Sequence, residues 1–153
     1  MKQELLFCAE LYRILSPFID RSKPILFALD GAAAKSAYAK GNLKDPSIPD
    51  MCFQFIGNSK EIRIEAKVLD GDRHWLSPNQ AKAWGPGGDG KLKPMEWVAT
   101  DRSFDTFYSW SQAQFRSAFG SGPNKTNQIL APEKRIQHKT IEELALHIVK
   151  KYA

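Results

Sequence analysis

The sequence predicts an α/β fold in which a mixed central sheet is covered by helices. Two neighbouring segments alternate apolar and polar residues as strands do, and segments near both ends show apolar residues at helical spacing. The order of these segments mixes helices with strands. With 153 residues and 42% hydrophobic composition, the chain suits one compact domain over residues 1–153.

The first two elements are predicted to be a helix and a buried strand. Residues 4–15 carry apolar side chains at helical spacing, and Pro17 ends the pattern. The predicted apolar stripe consists of Leu5, Cys8, Ala9, Tyr12 and Leu15. Residues 25–29 form a short apolar run between a proline and an Asp-Gly pair, which is typical of a buried strand.

Two alternating segments follow, and they are the most informative part of the chain. Residues 50–55 and 61–69 predict half-buried strands, and the turn-forming residues 57–60 predict that they pair as an antiparallel hairpin. Their apolar residues form one face of this hairpin. The opposite, polar face is predicted to hold Asp50, Cys52 and Gln54 from the first strand and Arg63, Glu65 and Lys67 from the second.

The second half of the chain predicts further helices and one strand. A Ser-Pro start with a capping glutamine predicts a short helix over residues 77–84, and residues 95–100 predict a strand. Residues 103–120 predict a long aromatic helix capped by Ser103, and residues 140–152 predict a closing helix. The predicted order is therefore helix, strand, strand, strand, helix, strand, helix, helix.

Composition excludes several classes of protein. Apolar runs such as residues 25–29 are too short to span a bilayer, and residues 1–4 do not open a signal peptide, so we expect a cytoplasmic protein without membrane contact. Cys8 and Cys52 are too few for a disulfide framework or a four-cysteine zinc site and are expected to be buried thiols. A net charge of +5 favours a polyanionic partner.

Three charged residues of the predicted hairpin suggest a reaction site. Glu65 and Lys67 leave the same face of their strand, about 7 Å apart along the chain. Hairpin pairing can place Asp50 beside Glu65, and two close carboxylates repel each other unless a cation lies between them. Mg²⁺ prefers oxygen ligands and commonly uses one or two carboxylates. The pattern therefore predicts a Mg²⁺ site with a neighbouring ammonium group.

These residues also carry a family resemblance. Ile48-Pro49-Asp50, followed fifteen positions later by Glu65-Ala66-Lys67, resembles the signature of the PD-(D/E)XK nucleases. The segment 72–84 contains Leu-Ser-Pro-x-Gln and is similar to the VRR-Nuc branch and to Holliday-junction-resolvase relatives. The resemblance covers roughly residues 4–110. The chain departs from the family after Trp84, where a Gly-Pro-Gly-Gly run shortens a helix that is usually longer.

The resemblance implies a restriction-endonuclease-like core of order αβββαβ plus C-terminal helices, acting as a metal-dependent DNA endonuclease. It implies that branched or otherwise structured DNA is cut and that a resolvase of this kind is a homodimer. Mg²⁺ would be the cofactor, with Mn²⁺ as a substitute. The implied site consists of Asp50, Glu65 and the backbone carbonyl of Ala66 as metal ligands, Lys67 as the catalytic lysine, Gln80 as a supporting residue, and Glu10 as a further metal ligand with Glu4 as its competitor.

The same residues allow other interpretations. Residues 85–91 match a phosphate-loop spacing, but Leu92 replaces the required Ser or Thr and Pro94 blocks a following helix, so no nucleotide cofactor is expected. A non-catalytic nucleic-acid-binding module would keep the basic charge without cleaving DNA. An interaction subunit of a larger DNA-processing complex would expose a sizeable apolar patch in its aromatic C-terminal half.

Overall fold

A computed structural model describes residues 2–27, 49–69, 96–110, 119–120, 128–129 and 135–153. The helices are α1 (Lys2–Leu15), followed by a 3₁₀ turn (Ser16–Phe18), and α2 (Ile141–Tyr152). The strands are β1 (Leu26–Phe27), β2 (Met51–Gln54), β3 (Glu61–Val68), β4 (Glu96–Thr100), β5 (Phe107–Trp110), β6 (Phe119–Gly120), β7 (Gln128–Ile129) and β8 (Ile136–His138). The predicted helix over 77–84 and the loop after it lie outside the described residues.

Six of these strands form one mixed sheet, which confirms the α/β class. The strand order is β1-β2-β3-β4-β5-β8, and β6 pairs with β7 in a separate two-stranded ribbon. All neighbours in the six-stranded sheet are antiparallel except β3 and β4, which run parallel. The predicted β2–β3 hairpin is confirmed, with Phe53 opposite Ile62 and Met51 opposite Ile64.

Both described helices pack on one face of the sheet, which we call the helix face. The apolar residues of β2 and β3 point to this face and are buried there with those of α1 and α2. In α1 the buried residues are Phe7, Cys8, Leu11 and Leu15, whereas Leu5 and Ala9 of the predicted stripe are exposed. The stripe is rotated because Phe7 packs against the rings of Phe104 and Phe107.

The ends of the two helices follow the sequence signals. Pro17 lies in the 3₁₀ turn that follows α1. Thr140 caps α2, because its Oγ1 accepts a hydrogen bond from the backbone N–H of Glu143 at 3.1 Å. The Glu143 carboxylate in turn accepts from the backbone N–H of Lys139 at 2.9 Å. The closing helix is therefore confirmed, with its cap.

The predicted aromatic helix over 103–120 is wrong. Residues 107–110 form β5, and 119–120 form β6. The chain turns before β5, where Asp101 Oδ1 accepts from the backbone N–H of Asp105 at 2.9 Å and Phe104 adopts a φ of 58°. A non-glycine residue in this left-handed region interrupts a helix, so Ser103 caps none. Of the predicted C-terminal helices, the described residues therefore contain only α2.

The strands of the hairpin are also more buried than predicted. The polar face was expected to meet solvent, but Cys52, Arg63, Glu65 and Lys67 are all buried there. Alternation along the strand is confirmed, while the half-buried character is not. Both cysteines are buried free thiols, as predicted. Among the described helices, none is long and apolar enough to cross a membrane.

Candidate active site

The predicted acidic pair meets where β2 begins. Met51 lies opposite Ile64 in the antiparallel register, so the same register extended by one residue places Asp50 opposite Glu65. Asp50 Oδ2 accepts a hydrogen bond from the backbone N–H of Ala66 at 2.9 Å. The Asp50 carboxylate is therefore held against β3, at the residue between Glu65 and Lys67. The structure brings these three predicted site residues to one end of the hairpin.

The β2–β3 ladder lacks one backbone donor at Pro49. The β2–β3 register extended by two residues pairs Ala66 with Pro49. Proline has no backbone N–H, so it cannot complete the ladder by donating to the carbonyl of Ala66. In an antiparallel pair, the N–H and C=O of one residue point to the same neighbouring strand. The Ala66 carbonyl oxygen therefore faces the side on which the Asp50 carboxylate binds.

Lys67 lies on the same face of β3 as Glu65 and is covered by an aromatic ring. Its Nζ is 5.9 Å from the centre of the Trp97 ring. Trp97 is fully buried and pairs with Glu65 in the parallel β3–β4 register. An ammonium near an indole face is attracted to the ring and restrained by it. The sequence predicted a strand at Trp97. It could not predict that the Trp97 ring lies near Lys67, because that depends on the β3–β4 register.

Burial distinguishes this face from an ordinary solvated one. Glu65 and Lys67 are each only 5% exposed. Moving a charged group out of water costs free energy unless partners compensate, so charged residues are rarely buried without a purpose. Arg63, also buried on this face, forms an ion pair with Glu61 at 3.0 Å. The interpretation that these side chains merely solvate a sheet surface does not fit this burial.

Comparisons of the chain with protein-family models, curated proteins and solved structures give no match. Function is therefore inferred from the chain's own residues. The chemistry assembled at this end of the hairpin is two carboxylates, one backbone carbonyl and one ammonium. Three oxygen donors can hold a hard cation, and the ammonium can stabilise negative charge beside it.

The other predicted site residues that the structure describes, Glu10 and Glu4, lie in α1. Glu10 is on the solvent-facing side of α1, where the hydrogen bond from Arg13 lowers the pKa of its carboxyl group. Glu4, its competitor, also belongs to α1. Gln80 lies outside the described residues. Within the described part of the chain, no three His, Cys, Asp or Glu side chains are grouped closely enough to hold a metal ion.

Proposed function

We propose that this chain is a Mg²⁺-dependent endonuclease that hydrolyses phosphodiester bonds of DNA. The observation that carries the proposal is the pair of buried charges, Glu65 and Lys67, on one face of β3. The Asp50 carboxylate is anchored between them on the N–H of Ala66. Charges held in this way, at the end of a sheet, are arranged for chemistry rather than for solubility.

The donor set suits a hard divalent cation. Asp50, Glu65 and the Ala66 carbonyl would hold Mg²⁺, because it prefers oxygen ligands and tolerates a site with few protein donors and several waters. Mn²⁺ would substitute with similar ligands. When bound, such an ion polarises a phosphoryl oxygen and lowers the pKa of a bound water. Pro49 supports this assignment, since it cannot donate a hydrogen bond to the Ala66 carbonyl.

Lys67 would supply the positive charge that phosphodiester hydrolysis requires at its transition state. Its ammonium is preorganised by burial and by the Trp97 ring, so little rearrangement is needed as negative charge develops on the phosphoryl oxygens. The same ammonium can hold the attacking water in place by donating a hydrogen bond to its oxygen. In a site with little water, these electrostatic effects are stronger than in solvent.

The topology supports a restriction-endonuclease-like core, which is part of this proposal. The order α1, β1, β2, β3, β4 matches the described part of the expected αβββαβ arrangement. β3 and β4 pair in parallel, and connections between parallel neighbours usually contain a helix. Residues 69–95 are long enough for one.

A protein-interaction role finds less support in the described residues. It would leave the aromatic C-terminal half exposed, yet Phe107 and Trp110 are both buried. The main alternative function is a non-catalytic DNA-binding module, which would bind DNA without cleaving it. Cutting both strands of a junction would require two active sites, so a homodimer is part of the proposal and is testable by analytical ultracentrifugation.

The decisive test is a cleavage assay. Purified protein is incubated with a four-way junction, a linear duplex and a single strand, each with Mg²⁺ or with chelator. We expect Mg²⁺-dependent cleavage that is fastest on the junction and is lost in Glu65→Ala. The matched control is Glu142→Ala, which removes an exposed glutamate of α2 and should cleave at the wild-type rate. Equal activity in Glu65→Ala, or binding without any cleavage, would reject the proposal.

A further inference from the structure

A surface cavity lies where the end of α1 meets the end of β2. Its volume is about 510 Å³, within the range of small-molecule binding sites, which is about 300–1,000 Å³. Its walls come from the last turn of α1, the 3₁₀ turn with the residues after it, and the segment that follows β2. Asp50 precedes β2, whereas Ile56 of the cavity wall follows it. The cavity is therefore separate from the candidate active site, at the opposite end of β2.

Backbone hydrogen bonds fix the shape of this cavity. The N–H of Asp20 donates to the carbonyl of Gln54 at 2.8 Å, and the N–H of Ile56 donates to the carbonyl of Phe18 at 2.9 Å. Ile19, which also lines the cavity, is buried. These bonds join the turn after α1 to the end of β2, so the walls are held in place before any ligand binds. Preformed cavities of this kind are typical of small-molecule sites.

Arg21 provides the positive charge of the cavity. Its Nη2 donates to Ser16 Oγ, and Arg21 forms no ion pair with any residue that the structure describes. A guanidinium carries five N–H groups, so Arg21 can still donate two hydrogen bonds to a carboxylate. Arg13 lines the same cavity, but its Nε donates to the Glu10 carboxylate at 3.1 Å. The main anion-binding group is therefore Arg21.

Asp20 places a negative charge in the same wall. Its Oδ1 accepts from the backbone N–H of Ser22 at 3.0 Å and from the Ser22 hydroxyl at 2.6 Å. These hydrogen bonds lower the pKa of Asp20, so it is a carboxylate at neutral pH. Its Oδ2 accepts no hydrogen bond from the described residues. A carboxylate beside Arg21 repels a ligand with several negative charges and attracts one that also carries an ammonium group.

The rest of the cavity surface is partly apolar. Ile56 is 65% exposed, and Pro17 is also exposed in the cavity wall. We propose that this cavity binds a small zwitterion with an aliphatic group, namely an aliphatic α-amino acid. The ligand carboxylate binds Arg21, and its ammonium binds Asp20. Its side chain covers Ile56 and Pro17, which removes apolar surface from water. This site is independent of the proposed nuclease function.

Titration of the full chain with L-leucine, followed by ¹H–¹⁵N NMR, tests this assignment. We expect one site with a dissociation constant of about 1 mM, as for a small ligand with few contacts. Three partial ligands are the comparison: glycine lacks the aliphatic side chain, 4-methylpentanoate lacks the ammonium, and 3-methylbutylamine lacks the carboxylate. Each should bind about tenfold more weakly or less. Inorganic phosphate should also bind more weakly than L-leucine, and tighter binding of phosphate would overturn the proposal.

Two variants assign the charged groups. Arg21→Gln and Asp20→Asn should each weaken L-leucine binding about tenfold or more, because each removes a charged hydrogen-bond partner. Asp20→Asn can still accept from Ser22 and should keep the wild-type melting temperature. Lys150→Gln, at an exposed position of α2, is the control and should bind L-leucine as the wild type does. The proposal is overturned if the wild type binds no L-leucine, or if Arg21→Gln binds it with unchanged affinity.

Discussion

Lys67 keeps an ammonium group away from bulk water at the end of β3, beside Trp97. We expect Lys67→Ala to lower kcat about 100-fold or more, which corresponds to about 2.7 kcal/mol of transition-state stabilisation. DNA affinity in chelator should change less than about threefold, since one lysine among many basic residues contributes little to binding. Single-turnover cleavage and equilibrium binding measure the two effects.

The control for this variant is Lys60→Ala, which removes an exposed lysine at the hairpin turn, at the other end of β3. Its cleavage rate should equal that of the wild type. If Lys67→Ala instead weakens binding while the cleavage rate of bound complexes is unchanged, Lys67 is a phosphate contact and not a catalytic residue.

Pro49 provides a second test at the scale of one residue. Pro49→Ala restores a backbone N–H opposite Ala66, so the β2–β3 ladder can extend and the Ala66 carbonyl can accept a hydrogen bond. We expect the Mg²⁺ concentration for half-maximal cleavage to rise about threefold to tenfold, because one metal ligand is then engaged elsewhere. Pro49→Ala with an unchanged Mg²⁺ dependence would remove the carbonyl from the ligand set.

At the scale of elements, α2 is fastened to β5 and β8 by a buried polar cluster. Ser109 Oγ lies 3.0 Å from His138 Nε2, and the rings of His138 and His147 are 5.0 Å apart. Burial lowers the pKa of His138, His147 lowers it further, and Glu143 opposes them by raising it. The folded state therefore favours the neutral imidazole.

The sign of this shift fixes the pH dependence of stability. At pH values above the ordinary pKa of 6.5, His138 is neutral in both the folded and the unfolded state, so its titration does not change the free energy of unfolding. As the pH falls below 6.5, the unfolded chain takes up a proton that the folded protein resists, so stability decreases until the folded pKa is passed. We expect the melting temperature to fall between pH 7.5 and about pH 5.5. His138→Gln should reduce this fall, and an identical profile in that variant would exclude His138 as its source.

Sequence patterns predicted elements well where one period dominated. The alternation in residues 50–55 and 61–69 gave the hairpin, because a strand with one apolar face has one favourable register. Prediction from the residue pattern failed at residues 103–110. Aromatic residues there fall at helical spacing, but a turn at Asp101 and Phe104 precedes a strand. Strand β8 was not predicted, because two of its three residues are exposed at the sheet edge.

At the scale of the whole molecule, the end of α2 is tied to the start of β4. Glu96 is buried on the helix face, where its carboxylate accepts from Lys151 Nζ at 2.9 Å and from the Tyr152 hydroxyl at 2.6 Å. Asn58 of the hairpin turn donates to the backbone carbonyl of Tyr152. Burial, and then the hydrogen bond to Glu96, raise the pKa of Tyr152, so its hydroxyl stays protonated as a donor.

Tyr152→Phe tests whether this tie stabilises the fold. The variant removes a hydrogen bond to a buried charged group, so the free energy of unfolding should fall by about 1.5–3 kcal/mol. Urea denaturation measures the change, and Lys150→Ala at an exposed position of the same helix should leave the midpoint nearly unchanged. A midpoint equal to the wild type in Tyr152→Phe would show that Glu96 is held well enough by Lys151.

Burial of the polar face could not be predicted from the hairpin alone. Whether Glu65 and Lys67 meet solvent depends on chain segments far from them in sequence, and local alternation carries no information about those segments. The pairing of Asp50 with Glu65 was foreseeable from strand geometry. The contributions of Trp97 and Pro49 became visible only once the registers of β3 with β4 and with β2 were known.

Direct measurement of Mn²⁺ binding by electron paramagnetic resonance tests most sharply whether Asp50 and Glu65 share a cation. The wild-type protein should bind one Mn²⁺ per chain, displaced by excess Mg²⁺. Asp50→Asn can still accept from the Ala66 N–H and should fold, yet it should lose the ion, as should Glu65→Gln. The control Glu142→Gln should bind normally. The metal site would be contradicted if the wild type bound no Mn²⁺, or if Glu65→Gln bound it as the wild type does.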